Sequence, residues 1–231
     1  MGLAVSTSWN AFRHTGALSI VSEIAALDFH AIELGFNLPF EVVEGMAGLV
    51  ERNKIQVVSL HNFCPIPDDI PRERALPDCF SMASTSPEER ARAVLQTKKT
   101  IDTAASVHAA AVVLHAGRVD IPDRTRELIE MYGRGLKDTD EFRAARRSVI
   151  GQRKEAGEPY LANALASIEE LERYAAKKGV LLGVETRFYY REIPNFEEIG
   201  LILKRFAGSC VRYWHDTGHA QLMENLGFCR H

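Results

Sequence analysis

No Cys-x-x-Cys pair occurs in this chain. Its four cysteines, Cys64, Cys79, Cys210 and Cys229, are scattered, which excludes a zinc knuckle or a disulfide framework and reads as free thiols of a reducing cytoplasm. No apolar run approaches the ~20 residues that cross a bilayer. The N-terminus enters a strand-like run at once, without a signal-peptide pattern. A cytoplasmic protein without a membrane partner is therefore expected. Net charge is only -3, so no strong global field points to nucleic acid. The turn after the first strand, Ser6 to Asn10, has no G-x-G-x-x-G, and no P-loop occurs. Nothing arranges Ser-His-Asp or Cys-His as a nucleophile.

What is present is an ordinary soluble composition, 46% hydrophobic and 26% charged over 231 residues, enough for one large α/β domain or two small ones. The pattern alternates strand and helix. Strands are expected over 3–8, 31–36, 55–61, 110–115, 180–185 and 211–216. A first helix over 17–26 would turn Leu18, Val21, Ile24 and Ala25 inward, and a second covers 40–52. A third starts at the Ser86 cap, with Pro87 at its first position and Glu89 completing a capping box. Its inward stripe is Ala91, Val94, Leu95, Ile101, Ala104 and Ala105. Pro159 begins another helix that Gly179 stops. Asn195 caps one that Gly208 ends, and 221–225 opens a last one.

Strict alternation with short apolar strands means a parallel sheet. An open doubly wound sheet and a closed (β/α)8 barrel compete. The barrel is favoured because chemically active side chains stand at the C-terminal ends of successive strands: Glu33, His61, His115, Glu185 and Asp216. Two connections are long. Residues 62–85 carry Pro65, Pro67, Pro71 and Pro77 and read as an ordered loop. Residues 117–157 are charged and read as a partly helical excursion or lid. Only six strands are found where a barrel takes eight. The expectation is a single barrel domain over 1–231, C-terminally incomplete after the sixth strand, with about two βα units missing. Its open strand edges would favour self-association.

Glu185 ends the apolar run Leu181 to Val184, and Asp216 ends Val211 to Trp214. A carboxylate at the end of a buried strand needs a compensating cation or donor. One reading is a divalent metal ion held by Glu185, Asp216 and His219, with His61 and His115 as further nitrogen donors. The other is pairing of the two carboxylates with Arg187 and Arg212. Glu33 reads either as a substrate contact or as a buried partner of an arginine. Arg187 reads either as an anion holder or as charge balance for Glu185.

The stretches Ala31 to Phe36, Val113 to Gly117, Gly183-Val184-Glu185-Thr186-Arg187 and His215-Asp216-Thr217-Gly218-His219-Ala220 resemble the xylose isomerase-like TIM-barrel superfamily. That superfamily includes sugar and sugar-phosphate isomerases and epimerases, and the AP endonucleases of the endonuclease IV type. The resemblance implies a cytoplasmic enzyme of carbohydrate metabolism that needs a divalent ion (Mn, Mg, Zn or Co) and acts on a small sugar or polyol. In it Glu185 and Asp216 would bind the metal, His219 would lie beside metal or substrate, and Glu185 would also move a proton. In the endonuclease branch, His61 and His115 would be zinc ligands on a phosphodiester substrate. The weak net charge and the absence of a basic stripe speak against that branch. An inactive barrel serving only as a binding module is the third reading. The family's strand-seven histidine and strand-eight glutamate have no counterparts here.

Overall fold

The computed structural model describes residues 2–229. Among them six parallel strands form one sheet in sequence order: β1 (Val5–Ser6), β2 (Ala31–Leu34), β3 (Gln56–His61), β4 (Ala111–Leu114), β5 (Leu181–Glu185) and β6 (Val211–Trp214). Seven α-helices accompany them: α1 (Ala17–Ala25), α2 (Phe40–Glu51), α3 (Pro87–Ser106), α4 (Thr125–Gly133), α5 (Asp140–Lys178), α6 (Phe196–Arg205) and α7 (Thr217–Asn225). Each strand pairs with its sequence neighbours, so β1 and β6 are the edges among the described residues. Among the described residues no helix is long and apolar enough to cross a membrane.

The register explains why every site residue faces one end. Glu33 pairs with Ser59, His61 with Val113, Val113 with Gly183, and Glu185 with Trp214. Parallel strands in near-level register bring their last residues to a common rim. The core lies between the sheet and the helices and is built from branched aliphatic residues such as Ile32, Leu34, Leu60, Val112, Leu182 and Val184. Gly183 fits the close approach of Trp214, whose ring atom would stand 2.9 Å from an added Cβ.

Several expected elements differ in extent or orientation. The first strand is only Val5–Ser6, because the chain turns into a 3-10 helix at Thr7. Leu18 is 67% exposed and Leu95 56%, and Ala25 and Ala91 also face solvent. On α3 the expected Val94, Ile101 and Ala104 are buried, and Ala93, Thr97 and Thr100 join them in the buried stripe. The two threonines tolerate burial because their hydroxyls donate to the carbonyls of Ala93 and Gln96 one turn back. The capping box at Ser86 is half made. Ser86 accepts from the Glu89 amide, but the Glu89 carboxylate goes to the Ser81 amide and the Ser84 hydroxyl.

The largest departure is α5, which runs 39 residues with Pro159 inside it. Proline removes one N–H and is costly in a helix interior. Here the segment before it is held by its own packing. Phe142 and Ala145 join Leu128, Met131, Met223 and Leu226 in a second apolar cluster. Arg153 makes a buried fork with Glu198, at 2.6 and 2.8 Å. Much of the 117–157 connection is therefore helix clamped against α7.

Candidate metal centre

The residue at the centre of the rim is Glu185, 6% exposed. Its Oε2 lies 2.7 Å from His115 Nε2, 3.1 Å from Arg187 Nη1 and 3.7 Å from His61 Nε2. Two groups of donor atoms share it. His61, His115 and Glu185 form one. Glu185, Asp216 and His219 form the other. Within each group the donor atoms lie within 4.8 Å of one another. The five metal-seeking side chains expected from the sequence thus meet around one carboxylate.

The three histidines are oriented alike. His61 Nδ1 meets the Asn62 carbonyl at 3.0 Å, His115 Nδ1 meets Asp78 Oδ1 at 2.9 Å, and His219 Nδ1 meets the Thr186 carbonyl at 2.8 Å. Carbonyl and carboxylate oxygens only accept, so each Nδ1 donates. In the neutral ring that leaves the lone pair on Nε2, the tautomer a metal ligand needs.

His115 Nε2 is buried and has no hydrogen-bond partner among the described residues. Its 2.7 Å approach to Glu185 Oε2 is contact without hydrogen-bond alignment. Two lone pairs at that distance repel unless positive charge lies between them. Ligand bonds of roughly 2.0–2.2 Å place neighbouring donors about 3 Å apart. The residues present therefore fit a divalent cation. Burial would raise the Glu185 pKa, but once the facing His115 and His61 rings carry their second proton their contacts outweigh it and hold the carboxyl well below its ordinary value. For His61, burial lowers the pKa, and contact with Glu185 together with the charge of Glu33 raises it to a net value above 6.5.

Asp216 and His219 come together through a helix start. Asp216 caps α7, its Oδ1 accepting from the His219 amide at 2.7 Å. Arg212 does not pair with it; Arg212 donates to the carbonyls of Ser209 and Val211.

Arg187 is buried and divided among Glu185, Asp78 and Glu192, at 3.1, 3.3 and 2.9 Å. Its guanidinium is committed to charge balance. Among the described residues Glu33 has no arginine partner; its carboxylate accepts from the Ser59 hydroxyl at 2.9 Å, and it joins neither donor group.

Asp78 and Glu192 were not among the residues singled out from the sequence. Both sit in irregular connections, where no periodicity fixes which side chain points inward. Asp78 lies on the 62–85 loop. Glu192 lies on the β5–α6 connection, which Arg153 fastens through the carbonyls of Tyr190 and Glu192, at 2.7 and 2.8 Å.

A family model described as xylose isomerase-like TIM barrel matches residues 21–227. No curated protein matches the sequence. Among solved structures, a D-tagatose 3-epimerase-like protein is 18% identical with a TM-score of 0.63, covering 98% of this chain and 71% of its own. The 3-keto-D-glucoside 4-epimerase YcjR of E. coli is 14% identical with a TM-score of 0.64, covering 97% and 74%. The D-allulose 3-epimerase of Methylomonas sp., solved with D-allulose, is 16% identical with a TM-score of 0.60, covering 90% and 59%. The chain thus spans between 59% and 74% of the length of these three structures. At these identities the likeness establishes the fold.

Proposed function

The chain belongs to the xylose isomerase-like TIM-barrel family, and from that premise we propose that it is a metal-dependent isomerase or epimerase of a small sugar or sugar derivative. The observation that carries this reading is the bare, buried Nε2 of His115 facing the Glu185 carboxylate. Glu185, Asp216 and His219 would hold a divalent cation, with His61 and His115 completing the shell or facing the substrate. When bound, such a cation would polarise the substrate's carbonyl and hydroxyl oxygens and so acidify the neighbouring C–H.

The chain's own residues divide the remaining work. The lowered pKa of Glu185 suits ligation better than proton abstraction, because a weak base is a poor proton acceptor. His61, whose neutral ring keeps its lone pair on Nε2 and whose pKa is raised, can take the proton on Nε2 and return it to the substrate. Arg187 ties three carboxylates, those of Glu185, Asp78 and Glu192, in place. The test is solvent exchange: with Mn2+ added, D-tagatose or D-allulose in D2O should incorporate deuterium beside the carbonyl. Absence of exchange across a panel of ketoses, with metal bound, would reject the isomerase reading.

A second reading, phosphodiester hydrolysis, has one observation in its favour. The His61, His115 and Glu185 group provides a second cation locus that shares Glu185, as two-ion hydrolysis requires. Cleavage of bis(p-nitrophenyl) phosphate with Zn2+, without ketose exchange, would favour it.

A further inference from the structure

Asp78 is a charged group of the site that comes from outside the strand ends and touches a histidine of the donor groups. It stands on the loop between β3 and α3, yet its two carboxylate oxygens reach different partners. Oδ1 takes the Nδ1–H of His115 at 2.9 Å, and Oδ2 takes Arg187 at 3.3 Å. Its backbone carbonyl accepts from Arg118 at 3.3 Å. We infer that Asp78 is a positioning residue: it locks His115 in the Nδ1–H tautomer and so keeps the bare Nε2 aimed at Glu185.

The loop is built to hold it there. Three residues further on, from Ser81, the chain is fastened at successive points. The Ser81 amide and Ser84 hydroxyl bind the Glu89 carboxylate at 3.1 and 2.7 Å, Ser167 donates to the Met82 carbonyl at 2.8 Å, and Asn163 donates to the Ser84 carbonyl at 3.0 Å. Gly117, two residues past His115, has φ +112, and a Cβ there would stand 2.8 Å from the Ala83 amide. The end of β4 and the loop can meet this closely only because that residue is glycine.

The chemical consequence follows from imidazole having one proton to place. With a carboxylate at Nδ1, the proton stays at Nδ1 and Nε2 carries the lone pair. With that carboxylate removed the ring is free to turn into alignment, and the proton gains more at Nε2, which faces Glu185 Oε2 2.7 Å away. His115 would then be occupied as a donor to Glu185, and both groups would be lost as ligands together.

This inference rests on the metal-site reading, but its test does not need metal. Long-range 1H–15N spectra of the imidazoles, recorded on the metal-free chain at a pH where His115 is neutral, report the tautomer directly. The native chain should show Nδ1–H at His115, and Asp78→Ala should move it to Nε2–H. Titration with Co2+ alone should show affinity falling about 10- to 100-fold in Asp78→Ala. Asp78→Asn keeps an acceptor without the charge and should fall between, which preserves the test if the alanine variant does not fold. A native His115 protonated at Nε2, an Asp78→Ala chain still at Nδ1–H, or Asp78→Asn with native Co2+ affinity would each overturn the role of Asp78. Failure of the native chain to bind Co2+ would instead count against the metal reading, and the tautomer spectra would still decide on Asp78.

Discussion

Arg153, in the middle of α5, donates to the Glu192 carbonyl at 2.8 Å, and through that bond the long helix holds the loop that balances the site. The Glu192 side chain in turn takes Arg187, whose other partners are Glu185 and Asp78. Substituting Arg153→Met breaks the buried fork with Glu198 and frees the Tyr190 and Glu192 carbonyls. The expected loss of stability is about 3–5 kcal/mol, the cost of stranding one partner of a buried ion pair. Urea unfolding measures it. A change below about 1 kcal/mol would show that the fork does not hold α5 to the loop.

The acid side of stability should report Asp78. Burial pushes its pKa up, but the His115 hydrogen bond and the charges of His115, Arg187 and Arg118 bring it down from 3.8 to about 2. A depressed carboxyl contributes stability that is present above its unfolded value and is lost as pH falls through the folded one. For Asp78 that window is pH 4 down to 2, and the contribution is about 2 kcal/mol. His61 works in the opposite direction. Its raised pKa contributes stability that is complete below the unfolded value of 6.5 and is lost as pH rises through the folded one. The urea midpoint of the metal-free chain should therefore climb between pH 2 and 4 and decline above about pH 6.5. A midpoint that is flat over both ranges would contradict these assignments.

Gly117→Ala should disturb the site without touching a polar group in it. The added methyl meets Ser81 and Ala83 at 2.5–2.8 Å, and φ +112 is strained for any side chain. The loop carrying Asp78 must shift, so Co2+ affinity should fall as it does in Asp78→Ala. Native affinity in a folded Gly117→Ala chain would show that the loop's approach is not what sets His115.

Asp216 caps α7 and is proposed as a ligand, and substitution can separate the two roles. Asparagine keeps the cap on α7, since Asn and Asp cap about equally well, but it surrenders the charge. Asp216→Asn should fold with a melting temperature near native and bind Co2+ at least tenfold more weakly. Asp216→Ala should lose the cap as well, at about 1 kcal/mol. Equal Co2+ affinity in native and Asp216→Asn chains would leave Asp216 as a cap only.

Much of this site could be read from the strands. A carboxylate or imidazole that ends an apolar run is placed by the parallel register, and Glu33, His61, His115 and Glu185 all arrive at the rim for that reason. Helix faces were less readable. Thr97 and Thr100 look polar in sequence but are buried, because their hydroxyls bond the backbone and receive bonds from Asn62 and Cys64 in turn. Leu95 looks apolar and faces solvent. The course of α5 through Pro159 depends on contacts with α4, α6 and α7 that no local pattern encodes. Asp78 and Glu192 lie in loops, where tertiary contacts alone choose the inward residue.

The most direct measurement is Co2+ titration of the metal-free native chain and of Glu185→Gln, followed by visible absorption. Glu185 is the one residue common to both donor groups, so its carboxylate should be indispensable to every bound ion. The native chain should develop d–d bands at one or two equivalents, and Glu185→Gln, with the same shape and no charge, should develop none in that range. Native-like bands in Glu185→Gln, or no bands in the native chain, would contradict a metal centre built around Glu185.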